Sequence, residues 1–145
     1  MGTWDTGPFD NDTAADFAFT FDESAPEDRE GLVRATLSRA ARARGEIEAS
    51  DGEEAVAAAA LVASQCPGGE PVTSSFGPDK VLPVFPPELR AIAVDALDRI
   101  LAEESELAEL WDESGDGPRW RRGVTRLRAV LAPVPPPQPD VLLDR

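Results

Sequence analysis

The stretch EEAVAAAALVASQC, residues 53–66, decides the fold that the sequence predicts. It follows SDGE, residues 50–53, whose serine-to-glutamate spacing is that of a capping box and predicts the start of an α-helix. Nearly every position after it is alanine or valine, so the helix offers no polar face to water. We therefore predict a central helix whose neighbours pack close to its backbone.

Five further segments around this run carry helical periodicity or helix-capping signals, and no strand pattern is present. The fold class that we predict is all-α, a single compact bundle of five to six helices over residues 1–132. The segments begin near Asn11 or Asp12, at the capping box SAPE (residues 24–27), at Pro86–Pro87, at Ser105, and at the turn of Asp116, Gly117 and Pro118.

Two segments have too much proline for a helix. Residues 67–87 predict a long proline-rich loop, because proline and glycine interrupt every helical or strand pattern there. We expect apolar residues near its end to hold it to the core. Residues 133–145 predict a proline-rich extended tail outside the helical domain. The apolar residues of the loop are Val81, Leu82, Val84 and Phe85.

The formal net charge of −14 is distributed in blocks along the chain. Residues 1–28 contain eight carboxylates and no basic residue, whereas residues 29–45 and 119–128 are rich in arginine. An overall charge of this sign repels nucleic acid and attracts basic molecules. We therefore expect a basic protein partner rather than nucleic acid, with the arginine-rich helices pairing to carboxylates of their neighbours.

The residues that are absent exclude several classes of function. The chain has no histidine and a single cysteine, Cys66, which excludes histidine-based catalytic triads and histidine zinc sites. No apolar run approaches the ~20 residues that span a bilayer, and no signal-peptide pattern opens the chain. We predict a cytoplasmic protein that uses no cofactor and no membrane.

Clustered aspartates near the N-terminus are the candidate metal ligands of the sequence. Carboxylates on a turn before a helix could hold Mg²⁺ or Ca²⁺. The interpretation that we favour is an N-cap followed by acidic residues that complement the helix dipole. The cluster comprises Asp5, Asp10, Asn11, Asp12 and Asp16, of which Asp10, Asp12 and Asp16 are the metal candidates.

A second acidic motif, DESGDG at residues 112–117, matches the first half of an EF-hand loop. The twelfth position of such a loop would be Gly123, where a calcium site needs a bidentate glutamate. We therefore predict a connection between two helices, with Asp116 as the cap of the second one.

The stretches MGTW-x-TGPFDNDTAADF, residues 1–17, and SELAELWDES, residues 105–114, followed by Trp120, together resemble a bacterial family, domain of unknown function 4259. Asp5 departs from the family pattern, which has glycine there. The resemblance implies a helical fold and brings no activity with it. The residues that we predict to serve structure or interaction are Trp4, Phe9, Asn11, Asp12, Trp111 and Trp120.

Our leading hypothesis is a small acidic interaction protein that binds another protein through its surface. No complete catalytic set is present, so we predict no catalytic residues and favour a non-enzymatic role. The competing hypotheses are a carboxylate-based metal-binding or hydrolytic module at the N-terminal aspartates, and an acidic inhibitor that mimics DNA. The sequence leaves the partner's identity and the oligomeric state open.

Overall fold

A computed structural model of the protein describes residues 7–69, 78 and 82–132. Across these residues the chain forms six α-helices, one 3₁₀ turn and no β-strand, which confirms the predicted all-α bundle. The predicted tail and most of the predicted loop lie outside the described residues. The helices are α1 (Asp12–Glu23), α2 (Arg29–Ala41), α3 (Ala49–Ala63), α4 (Glu88–Leu101), α5 (Glu106–Ser114) and α6 (Gly117–Leu131).

The alanine-rich helix α3 is the centre of the bundle, as predicted. It contacts α1, α2, α4, α5 and α6, and every residue from Ala55 to Ala63 is buried. Short side chains allow the neighbouring helices to approach its backbone closely. In the part of the chain that the structure describes, no helix is long and apolar enough to cross a membrane.

The capping box predicted at residues 24–27 does not form. Ser24 instead ends α1, where its hydroxyl donates to the carbonyl oxygen of Thr20 at 2.8 Å. The 3₁₀ turn Pro26–Asp28 then leads into α2. The serine is unavailable to α2 because its side chain already bonds the last turn of the preceding helix.

The second predicted capping box, at residues 50–53, is also wrong, because α3 begins earlier, at Ala49. The backbone N–H of Ala49 donates to Oε1 of Glu106 at 2.7 Å. A carboxylate 57 residues away therefore satisfies one of the free N–H groups that open the central helix.

The linkers that precede α3 and α5 lie side by side. Ile47 and Ser105 form an isolated parallel β-bridge, in which the Ile47 N–H donates to the Glu104 carbonyl oxygen at 2.8 Å. Arg99 on α4 donates to the carbonyl oxygens of Ala43 in one linker, at 3.3 Å, and of Glu103 in the other, at 3.1 Å. These bonds fix the α4–α5 turn against the α2–α3 turn.

Arg29 fastens the end of α1 to the start of α2. It is 8% exposed, and its guanidinium donates to the carbonyl oxygens of Phe21 and Asp22, each at 3.1 Å. The same group lies 5.6 Å from the centre of the Phe21 ring. The energetic cost of burying this charge is offset by hydrogen bonds to carbonyl groups in the last turn of α1 and by the cation–π contact.

The end of the predicted loop is held to the core by fewer residues than expected. Phe85 is buried and Leu82 packs partly against the core, whereas Val84 is 89% exposed, so its predicted role is wrong. The side chain of Gln65 accepts the N–H of Phe85 at 3.0 Å and donates to the carbonyl of Pro83 at 2.7 Å. These bonds hold the side chain of Phe85 toward the core, whereas the side chain of Val84 is exposed to solvent. Val81 lies outside the described residues.

Candidate functional site

Asn11 is the N-cap of α1, one of the two residues that the sequence predicted for this position. Oδ1 of Asn11 accepts the backbone N–H of Ala14 at 2.8 Å, and the side chain is buried. Asp10 closes the preceding turn, where its Oδ2 accepts the N–H of Gly7 at 3.1 Å. A Cβ atom on Gly7 would lie only 2.3 Å from that oxygen, so a larger residue here would displace the Asp10 carboxylate from its bond. Phe9 is buried in the core.

The candidate metal ligands do not converge. The carboxylate of Asp10 is bonded to the turn, and Asp12 and Asp16 are exposed on the outer face of α1. Among residues 7–69, 78 and 82–132, no three acidic, histidine or cysteine side chains form a group that could hold a metal ion. Trp4 and Asp5 lie outside the described residues.

The half EF-hand motif forms a connection between α5 and α6. Gly115 ends α5 with a φ of 92°, and Asp116 is the N-cap position of α6, without a side-chain capping bond. Asp112 pairs with Arg121 across this connection at 2.8 Å. The hydrogen bond from Arg121 holds the pKa of Asp112 below its ordinary value, because it stabilises the charged carboxylate.

Three of the predicted signature residues meet at a cleft between the start of α1 and helices α3, α5 and α6. The rings of Trp111 and Trp120 stack with their centroids 6.3 Å apart and their planes at 12°. Asn11 and Glu53 complete the polar part of the lining. The cleft is narrow, with room for about one water molecule, so it is a packing junction rather than a ligand pocket.

Glu53 is the titratable group of this cleft, and the sequence assigned it only to a capping box. Burial raises the pKa of its carboxyl above the ordinary value of 4.5. A hydrogen bond from Thr13 opposes this increase, and the charge of nearby Asp12 adds to it. The charged, half-buried carboxylate of Glu53 therefore lowers the stability of the folded protein at neutral pH.

We expect the change Glu53→Gln to stabilise the protein at pH 7 and to have less effect near pH 4. Since the folded-state pKa of Glu53 lies above its unfolded-state value, stability falls as pH rises from 4.5 through the folded-state pKa. Glutamine removes the charge and can keep the bond to Thr13. Urea unfolding at both pH values measures the difference, with Glu27→Gln as an exposed control. A variant that is less stable than the wild type at pH 7 would contradict the burial argument.

The arginine-rich helices α2 and α6 pair with carboxylates of the same chain, as predicted. Their ion pairs lie largely at the surface, where solvent screens the charges, so they contribute little to stability. Their larger effect is to neutralise positive charge within the molecule. The described pairs are Arg34–Glu30, Arg34–Glu88, Arg39–Asp51, Arg39–Glu54, Arg121–Asp112 and Arg128–Asp98.

The α4–α5 turn and the outer side of α5 concentrate carboxylates beside an exposed leucine, a surface that sequence reasoning missed. Leu110 is 50% exposed. Within the described residues, none of the four exposed glutamates of this turn and helix takes part in an ion pair. We call this the α5 surface, and it comprises Glu103, Glu104, Glu109, Leu110 and Glu113.

A groove opens beside the α5 surface, between the α4–α5 turn and α6. Its lining has three parts: apolar side chains, which we call the floor; exposed glutamates, which we call the rim; and Arg121, which we call the far wall. The guanidinium of Arg121 is held by Asp112 and donates to the carbonyl oxygen of Leu101 at 3.4 Å. The residues of the groove are Leu101, Ala102, Glu103, Glu104, Ser105, Ala108, Glu109 and Arg121.

Comparison with known proteins identifies a family and no function. Residues 2–123 match the model of a family described as domain of unknown function (DUF4259). The match covers most of the chain, including the segment of the proline-rich loop, and so the chain belongs to this family. No curated protein and no solved structure matches it.

Proposed function

We propose that this DUF4259 member is a protein-interaction module that binds a basic segment of another protein through the α5 surface. The observation that carries the proposal is the location of charge. Four arginines of α2 and α6, Arg34, Arg39, Arg121 and Arg128, pair with carboxylates of the same molecule. The glutamates of the α5 surface are exposed, as is Leu110.

The charges and the leucine would contribute differently to binding. Outward carboxylates on a chain with a net charge of −14 accelerate the encounter with a basic partner and favour it over acidic competitors. Affinity depends more on desolvated apolar contacts at the centre of an interface. Leu110 can supply such a contact, and Glu109 and Glu113 are its exposed charged neighbours on α5.

Two matched triple variants test this proposal. The first, Glu109→Gln, Leu110→Ser and Glu113→Gln, alters the α5 surface. The second, Asp16→Asn, Phe19→Ser and Glu23→Gln, makes the same kind of change on the outer face of α1, where Phe19 is 66% exposed. Because each removes two carboxylates and one exposed apolar side chain, both lose equal charge.

We expect affinity purification to recover a basic protein with the wild type and with the α1 variant, and to lose it with the α5 variant. Recovery should also fall as salt rises, because the charges at the rim are screened. Equal recovery by both variants would contradict the α5 surface as the binding site. Release of the captured protein by duplex DNA would instead favour the DNA-mimic hypothesis.

A further inference from the structure

The groove beside the α5 surface is large enough to hold a side chain, and we propose that it binds one arginine side chain of the basic partner. This inference rests on the proposed function and names the contact that would anchor the partner.

The size of the groove suits one long side chain. Its volume is about 260 Å³. Sites for cofactors and drug-sized molecules usually have volumes of about 300–1,000 Å³ and enclose most of the ligand. A small groove that is open to water at one side fits a side chain projecting from a larger partner.

The floor and the rim match the two ends of an arginine side chain. Leu101, Ala102 and Ala108 form an apolar floor, against which the methylene stem of an arginine can lie. Glu103, Glu104 and Glu109 are exposed and also line the groove, so a guanidinium bound there can donate charge-assisted hydrogen bonds to their carboxylates. Lysine offers one compact charge and no planar fork, so we expect it to bind less tightly.

The arginine on the far wall does not prevent this binding. Arg121 carries the same charge as the ligand, but it already pairs with Asp112 at 2.8 Å. Its guanidinium also donates to a backbone carbonyl and stacks against Trp120, with 6.0 Å to the ring centre. The local excess of charge is therefore that of the three glutamates on the rim.

The turn that carries the rim is held in place by the rest of the fold. Glu104 has a φ of 62°, the only positive value outside glycine among the described residues. Its carbonyl oxygen accepts the N–H of Ile47 at 2.8 Å, and Arg99 donates to the carbonyl of Glu103 at 3.1 Å. Because these bonds hold the backbone of the turn, the turn itself loses little conformational entropy when a ligand binds.

Titration of the full-length ¹⁵N-labelled protein with N-acetyl-arginine amide tests the inference by NMR. We expect saturable shifts in the amide signals of residues 101–109, with affinity in the millimolar range, about 1 mM. N-acetyl-citrulline amide has nearly the same shape without the charge and should produce no saturable shift. N-acetyl-lysine amide should bind more weakly than the arginine probe.

Variants of the rim and the floor separate this site from general attraction to acidic residues. Glu104→Gln combined with Glu109→Gln should weaken binding of the arginine probe by about fivefold to tenfold, since two charge-assisted contacts are lost. Ala102→Phe, at an exposed position, should fill the groove and abolish the saturable shifts. Asp16→Asn combined with Glu23→Gln removes the same charge from α1 and should leave binding unchanged.

Two results would overturn the inference: shifts that spread over the acidic surface without saturating, and equal binding by the rim and α1 variants. Each variant is checked first for an intact spectrum, and Ala102→Phe tests the groove without altering any charge. Loss of the partner by the α5 triple variant, with no arginine binding in the groove, would overturn this inference alone. Saturable arginine binding in the groove, with a partner that ignores the α5 surface, would overturn the proposed function.

Discussion

The change Phe21→Ala is expected to lower the free energy of unfolding by about 3–5 kcal/mol, the usual cost of removing a buried aromatic ring. Phe21 is fully buried, and its ring lies beneath the guanidinium of Arg29. Truncation would leave a cavity and remove the cation–π contact that accompanies this buried charge. Chemical unfolding followed by far-UV circular dichroism measures the effect.

The same helix supplies the control, because Phe19 is 66% exposed only two residues away. Phe19→Ala should change the free energy of unfolding by no more than about 0.5 kcal/mol, as surface substitutions usually do. Both variants have the same composition and almost the same position in α1. Equal losses of stability in the two variants would mean that α1 does not pack as described.

The second large effect is expected from Ala58→Leu at the centre of α3. Ala58 is fully buried in a helix that contacts five neighbours, so the added carbon atoms have no space to occupy. Overpacking of a tight core costs about 1–3 kcal/mol, and the enclosed position of Ala58 places it at the upper end of this range. Thermal and urea unfolding would both show the loss.

Ala35→Leu on α2 is the matched control, since Ala35 is exposed. Alanine and leucine both favour helices, so this change should cost only a few tenths of a kcal/mol, about 0.2–0.5. If Ala58→Leu were tolerated equally well, the small side chains of α3 would not be setting the distance to its neighbours.

The parts of the fold that sequence reasoning predicted are those that depend on local pattern. The alanine-rich run of residues 53–66 predicted a central helix because it had no polar face, and α3 is indeed buried along residues 55–63. Ser105 and Asn11 were predicted as helix caps, and both side chains accept a backbone N–H near the start of their helix. Such signals involve residues close in sequence and survive in any fold that contains the helix.

The predictions that failed depended on distant partners. The spacing of residues 50–53 fits a capping box, but the first N–H of α3 finds its acceptor in Glu106, 57 residues later. The serine of the other predicted box was already bonded to α1. The spacing of residues along the chain shows which capping hydrogen bonds are possible. Which of them form depends on the acceptors that the tertiary structure brings near.

The candidate site was harder to predict than the fold for the same reason. The sequence singled out Trp111 and Trp120 one at a time, and their stacking across α5 and α6 follows from the turn between the two helices. The groove takes its floor from α4 and α5, its rim from the turn between them, and its far wall from α6. No single stretch of sequence contains that combination.

The bond between Glu106 and Ala49 joins two residues that the ribosome adds at different times. Residues 49–63 are synthesised before Glu106, so the backbone N–H of Ala49 is present for a time before its acceptor. At ~5–20 residues per second, growth from residue 63 to residue 106 takes about 2–9 seconds. The sides of α3 that pack against α4, α5 and α6 can be covered only after those later helices have been synthesised.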